Sequence, residues 1–239
     1  MIYLRSILFE CAFAFLTFCL ALVNCILGLF NRRIIIATGR VWGRGTTLLL
    51  RLLCGITIEI RGREHIPEGA AIVASKHQST LEAVLFADFL SNPIFSMKEE
   101  LTRIPLLGYS IRRSGAIPIK RSGGASALRI LIRHAKEAFK EGKQLLIFPE
   151  GTRSPPRTRG IYNPGVAALY SRCDVPVTPV ALNSGSFWAR RTLLKPPGRI
   201  IIEFLPAIEP GLERRAFQEL LENSIEDATM KLEQESPGT

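Results

Sequence analysis

The segment Lys76-His77-Gln78-Ser79-Thr80-Leu81-Glu82, KHQSTLE, sets a histidine five residues ahead of a carboxylate, between the apolar runs AAIVAS and AVLFADFL. Imidazole titrates near neutrality, which suits a general base. A carboxylate on its far nitrogen would fix the tautomer and stabilise the imidazolium. The separation is too long for contact along one helix, yet a histidine in the turn before a helix can fold back on a glutamate in its first turn. The same residues also have a structural reading: Ser-x-x-Glu before an apolar run is a capping box, in which Ser79 and Glu82 satisfy orphan amides of a new helix. The two readings are compatible, and only the first gives His77 a task.

Two further segments carry polar side chains where apolar runs end: KRSGG, with Lys120 and Arg121, after GAIPI, and PEGTRSPPRTRG after QLLIF. In the second, Glu150 offers a carboxylate, Gly151 lets the backbone approach a ligand, and Arg153 has the fork that grips a phosphate. Taken singly, each is also an ordinary charged loop. No Gly-x-Ser-x-Gly elbow occurs, since Ser122 and Ser184 stand beside single glycines, and no glycine-rich phosphate loop ending in Lys-Ser/Thr is present. A base without a protein nucleophile points to a substrate hydroxyl as the group activated. The five cysteines form no Cys-x-x-Cys pair, and no histidine lies at metal-ligand spacing from them. Neither a disulfide framework nor a metal site is expected, which favours an interior-facing or cytoplasmic catalytic domain.

The elements that must position these groups alternate from Gly55 onward. Short β-rich runs at 56–60, 70–75, 93–97, 115–119, 144–148, 176–182 and 199–205 are expected to be strands. Helical patterns cover 80–90, 99–112, 124–141, 163–172 and 211–234. Such alternation predicts an α/β domain, whose ligands bind beyond the carboxyl ends of the strands, where the three polar segments lie. His134 falls inside the pattern at 124–141 and reads as a helix-surface residue. The last residues, ESPGT, read as a frayed tail.

The N-terminus is of another kind. Ile7 to Phe30 holds one charge, Glu10, and is long enough to cross a hydrocarbon layer that needs about 20 residues. Arg5 precedes the run as it would in a secretory signal, but the run is too long for one and no small-x-small cleavage site follows. After it, IIIATGRVWGRGTTLLLRLLC spaces Arg40, Arg44 and Arg51 along an apolar segment, as in a helix lying in anionic headgroups; a core helix with snorkelling arginines has the same pattern. Residues 1–53 are therefore expected to form a two-helix membrane-anchoring unit, spanning the bilayer or lying in its surface, and 54–239 a catalytic domain. The net charge of +10 attracts any polyanion, and the apolar N-terminus favours a membrane over nucleic acid, for which no recognised motif is present.

Together these segments resemble the glycerolipid acyltransferases, in particular the bacterial 1-acylglycerol-3-phosphate acyltransferases. KHQSTLE matches the family's Asn-His-x4-Asp motif, GAIPIKR its second motif with Arg121 as the arginine, FPEGTRS at 148–154 its third without change, and VPVTPV at 175–180 its fourth. Two positions depart from the pattern: Glu82 stands for aspartate and Lys76 for asparagine. The resemblance implies a mixed sheet flanked by helices, of the glycerol-3-phosphate acyltransferase type. It also implies acyl transfer from acyl-ACP or acyl-CoA to the sn-2 hydroxyl of lysophosphatidic acid, giving phosphatidic acid. His77 and Glu82 would be catalytic. Lys98, Arg121, Glu150, Gly151, Thr152 and Arg153 would bind substrate, with no cofactor beyond the donor. Another acceptor (a lyso-ornithine lipid or glycerol 3-phosphate) and a non-catalytic basic membrane-binding module are the alternatives. The expected location is the inner membrane, with the catalytic domain at its cytoplasmic face.

Overall fold

The computed structural model describes residues 1–28 and 31–236, without the side chains of Arg32 and Arg121. Leu29 and Phe30, which close the apolar run, and Pro237–Thr239 of the expected tail lie outside the described residues. Among the described residues, seven strands alternate with helices: β1 (Ile56–Arg61), β2 (Ala71–Ser75), β3 (Pro93–Lys98), β4 (Ile117–Ile119), β5 (Gln144–Ile147), β6 (Val177–Leu182) and β7 (Gly198–Phe204). The helices are α1 (Ile2–Leu27), α2 (Arg32–Leu49), α3 (Leu81–Phe89), α4 (Leu107–Ser114), α5 (Gly124–Lys140), α6 (Gly165–Cys173) and α7 (Arg214–Glu235). All seven expected strands are present.

One expected element is corrected. The helical pattern at 99–112 is broken into a 3-10 turn, Glu99–Arg103, and α4. Pro105 lacks an amide proton and biases its predecessor away from helical backbone. Ile104 is accordingly extended (ψ 126), and Leu106 takes a positive φ of 60° before the chain turns helical again.

The strands form one sheet in the order β1-β7-β6-β2-β5-β3-β4. Strands β2, β3, β4, β5 and β6 run parallel, while β7 is antiparallel to β6 and carries β1 alongside it. Alternate side chains of the central strands enter two cores. Ile72, Ala74, Leu145 and Ile147 meet α5, α6 and α7 on one face, and Val73, Leu146 and Val180 meet α3 and α1 on the other. A strand buried on both faces needs a continuous apolar run, which is why AAIVAS shows no alternation.

The first turns of α1 are joined to the sheet domain by polar contacts. Ser6 Oγ accepts from the Lys195 amide at 3.0 Å, and Arg5 donates to the Leu53 carbonyl. The lone acid of the run, Glu10, pairs with Lys195 Nζ. Lys195 is fully buried, and its ammonium also stands 5.2 and 5.1 Å from the ring centroids of Phe9 and Trp188. The other side of α1 shows a stripe of exposed apolar side chains, Leu4, Leu8, Phe15, Phe18 and Leu22. Two of the three arginines spaced along the following segment meet protein: Arg44 pairs with Asp88 at 2.9 Å and Arg40 donates to the Ser91 carbonyl.

Removing a buried cation leaves its acid partly desolvated and unpaired, a loss of about 1–3 kcal/mol. Lys195→Met is expected to lower unfolding stability in detergent by that amount, and Glu10→Gln in the same chain to recover part of it. A thermal-unfolding double-mutant cycle measures both. Equal stability of wild type and Lys195→Met would mean that this joint does not hold α1.

Candidate active site

Because β2, β3, β4, β5 and β6 are parallel, their carboxyl ends open on one edge of the sheet. His77 follows β2, Phe148–Arg153 follows β5, Lys98 ends β3, Lys120 follows β4 and Ser184 follows β6. The register sets Ala74 beside Ile147 and Ser75 beside Val180, so three of these exits leave the sheet at one level.

The His77 ring closes on the start of α3: Nδ1 lies 3.1 Å from Glu82 Oε2. The Glu82 side chain is fully buried, and that of His77 is 15% exposed. A buried carboxylate demands partners for its lone pairs. Glu82 finds them in the Ser79 amide, which donates to Oε1 at 2.9 Å and Oε2 at 3.0 Å, and in the Ser184 hydroxyl, which donates to Oε1. Ser79 Oγ in turn accepts from the Leu81 amide at 3.1 Å. One carboxylate thus caps the helix and faces the histidine, and both readings of KHQSTLE hold geometrically. With Nδ1–H donated to Glu82, the lone pair of Nε2 is left to accept a proton. Phe148 stacks on the ring at 3.9 Å between centroids, which restrains its tilt.

The backbone of His77 is held by the segment after β5. Its amide donates to Glu150 Oε2 at 2.8 Å, and its carbonyl accepts from the Ser154 amide at 2.8 Å. The Glu150 side chain is only 2% exposed, so its carboxylate is turned into the protein as scaffold. Gly151 has φ 66°, and a Cβ there would come within 2.9 Å of Asn163 Nδ2, the group that donates to the Glu150 carbonyl. Arg153 Nη1 donates to Thr80 Oγ1 at 2.9 Å, which brings a guanidinium to the turn that carries His77. Thr152 is exposed and accepts from Arg190 at 3.4 Å. The side chain of Arg121, the expected second-motif arginine, lies outside the described residues; its backbone begins a 3-10 turn, Arg121–Gly123.

In front of His77 opens a cleft of about 410 Å³. Ile119, Leu128, Leu131 and Val166 give it an apolar wall, and Lys98, Lys120 and Thr152 also line it. Lys98 is exposed and 3.4 Å from Glu100. A larger open groove of about 970 Å³ lies between the β7–α7 connection and α7, and none of the expected site residues lines it. Of the expected residues, the structure places His77, Lys98, Glu150, Gly151 and Thr152 at the cleft, with Glu82 behind His77 and Arg153 beside it.

Sequence reasoning missed Ser184, Asn163, Arg190 and the stacking Phe148. Ser184 stands two residues after the fourth-motif strand, and that proximity was the available signal.

A family model described as Acyltransferase matches residues 57–183. Over 180 residues the chain is 37% identical to the 1-acyl-sn-glycerol-3-phosphate acyltransferase of Pseudomonas aeruginosa, covering 75% of this chain and 70% of the relative. It is 31% identical to the Limnanthes alba enzyme of the same name, across 72% of this chain and 62% of that one. Its fold is similar to the crystal structure of the 1-acyl-sn-glycerophosphate acyltransferase of Thermotoga maritima, with a TM-score of 0.76 over 95% of this chain and 98% of the other at 23% identity.

The fit of Glu82 to its partners predicts that the shorter side chain does not improve the site. Glu82→Asp is expected to lower kcat about tenfold and Glu82→Gln about 100-fold or more, with the acceptor KM nearly unchanged. Ser184→Ala, which removes one donor to Glu82, is expected to lower kcat several-fold. Steady-state kinetics of the three variants checks this, and full activity in Glu82→Gln would break the pair.

Proposed function

This chain belongs to the acyltransferase family, and from that premise we propose that it transfers an acyl group from a thioester to the free hydroxyl of lysophosphatidic acid, yielding phosphatidic acid. The observation that carries the proposal is the buried Glu82 paired with His77 at the head of an apolar cleft. It is joined by relatives named for this reaction.

In this reading, His77 Nε2 takes the proton of the acceptor hydroxyl as its oxygen attacks the thioester carbonyl. Glu82 stabilises the imidazolium that forms. The tetrahedral intermediate then collapses, the new ester C–O bond remains, the C–S bond breaks, and the imidazolium returns its proton to the departing thiolate. No acyl-enzyme is required, in keeping with a Ser184 hydroxyl that is buried and committed to Glu82. Arg153, with Arg190 beside Thr152, supplies the guanidiniums for the acceptor's phosphate. Lys98 and Lys120 add positive charge at the cleft mouth for an anionic donor, either coenzyme A or acyl carrier protein. Ile119, Leu128, Leu131 and Val166 give the acyl chain an apolar wall.

We assign the protein to a membrane surface because both lipids of the reaction reside there and because the outer stripe of α1 is apolar throughout. Polar joints hold the first turns of α1 against the sheet domain, so that stripe meets lipid while the opposite side meets protein.

Purified enzyme is to be assayed with lysophosphatidic acid, a neutral lyso-acceptor and both thioester carriers. His77→Ala is expected to lower kcat by at least about 1,000-fold; unchanged transfer would remove the base. Arg153→Ala is expected to raise the acceptor KM about tenfold or lower the rate for lysophosphatidic acid alone. An equal loss with the neutral acceptor would count against phosphate binding. Sedimentation with anionic vesicles tests the membrane assignment: Phe15→Glu with Phe18→Glu is expected to move most of the protein to the supernatant, and undiminished sedimentation would defeat the assignment.

A further inference from the structure

Lys76 stands where the family motif has asparagine, and its side chain is fully buried. Burying a lone ammonium costs several kcal/mol, so its surroundings must answer the charge. Nζ lies 2.7 and 3.0 Å from the two carboxylate oxygens of Glu226 in α7 and 3.2 Å from the Thr158 carbonyl. It is also 3.0 Å from Glu150 Oε1, an ion-pair contact without the angles of a hydrogen bond. The space is closely fitted: a Cβ at Gly160 would fall 2.0 Å from Glu150 Oε1. Burial first, then the negative charges of Glu226 and Glu150, push the neighbouring Tyr162 phenol upward in pKa.

This cluster ends on the proposed base, because the second oxygen of Glu150 accepts from the His77 amide. A parallel tie runs from the same helix. Glu233, two turns after Glu226, accepts from Gln78 Nε2 at 2.8 Å and from the Arg157 amide at 2.9 Å. Gln78 Oε1 accepts from the Gly185 amide at 3.0 Å. The residues on both sides of His77 are therefore each bound to a buried carboxylate of α7. If packing were the only requirement, apolar side chains would serve as well or better, since buried ion pairs are seldom net stabilising.

We propose that Glu226, acting through Lys76 and Glu150, is a positioning residue for His77, and that Glu233 acts likewise through Gln78. On this proposal α7 is a functional part of the acyltransferase site, and the buried cation at position 76 is matched by the carboxylate at 226. The inference rests on His77 as the base.

The test is carried out on the full-length enzyme, measuring kcat, both KM values and the thermal midpoint. Glu226→Gln is expected to lower kcat about 10- to 100-fold while both KM values stay within about threefold, since a displaced base slows the proton transfer and leaves the ligand contacts in place. The double variant Lys76→Met/Glu226→Leu removes the charges together. It is expected to keep a midpoint within a few degrees of wild type yet retain a kcat at least about tenfold low, because Glu150 has lost the cation that orients it. The double variant also covers the case in which Glu226→Gln alone fails to fold. Wild-type kcat in either folded variant overturns the proposal, as does a loss that tracks only the folded fraction. His77→Ala in the same assay separates the two readings: if it alone loses activity, the positioning role fails and the base stands, whereas if it retains activity the base itself is wrong.

Discussion

A carboxylate with no exposed surface, at the first turn of a helix and facing an imidazole, is the constraint on which this site rests. Glu82 can be buried because the Ser79 amide, the Ser184 hydroxyl and His77 between them occupy its oxygens. Those partners come from two places, the turn between β2 and α3 and the segment after β6, while the carboxylate itself belongs to α3. Satisfying one carboxylate therefore requires that β2 and β6 be neighbours and that α3 begin within a few residues of His77. The parallel register of the central strands supplies the first condition, and the capping geometry of Ser79 supplies the second. The extra methylene of glutamate relative to aspartate is absorbed here, by a reach that meets the Ser79 amide with both oxygens.

Much of this was legible along the chain because the relevant interactions are short in sequence. The His77 and Glu82 pair, the cap by Ser79 and the FPEGTRS turn are local arrangements at strand exits, where polar residues interrupting apolar runs stand out. The strands themselves were legible because burial on both sheet faces demands unbroken apolar stretches. The failure at 99–112 has an equally local cause: Pro105 outweighs the surrounding helical pattern.

What could not be read was the role of residues whose partners are far away in sequence. Glu226 and Glu233 sit in a helix rich in charge, where a glutamate reads as solvated surface, and nothing near them shows that Lys76 and Gln78 lie across the interface. Their pairing spans 150 and 155 residues. Glu150 is the instructive case in the other direction: its motif is plain, but the burial that turns its carboxylate from the cleft to the His77 amide is a property of the fold. Lys195 likewise reads as a surface lysine beside two prolines, and only the packing of α1 reveals it as the partner of Glu10.

The helix that carries Glu82 also links the site to the N-terminal helices. α3 has nine residues, about 13 Å of helix axis, with Glu82 in its first turn and Ala87 and Asp88 near its end. Against that end pack the glycines of α2: a Cβ on Gly39 would be 3.5 Å from Ala87 Cβ, and one on Gly43 would be 3.0 Å from Asp88 Cβ. Helices that meet through glycines approach closely and slide little, and the Arg44–Asp88 pair adds a directional contact. α2 is in turn tied to α1 through Thr38 and Asn24 and through Trp42 and Thr17. The apolar stripe of α1 is thus connected to the carboxylate behind His77 through two packed helices. On the proposed function, in which α1 meets lipid and His77 is the base, this chain of contacts through α2 and α3 is what sets the base relative to the layer from which the acceptor is drawn.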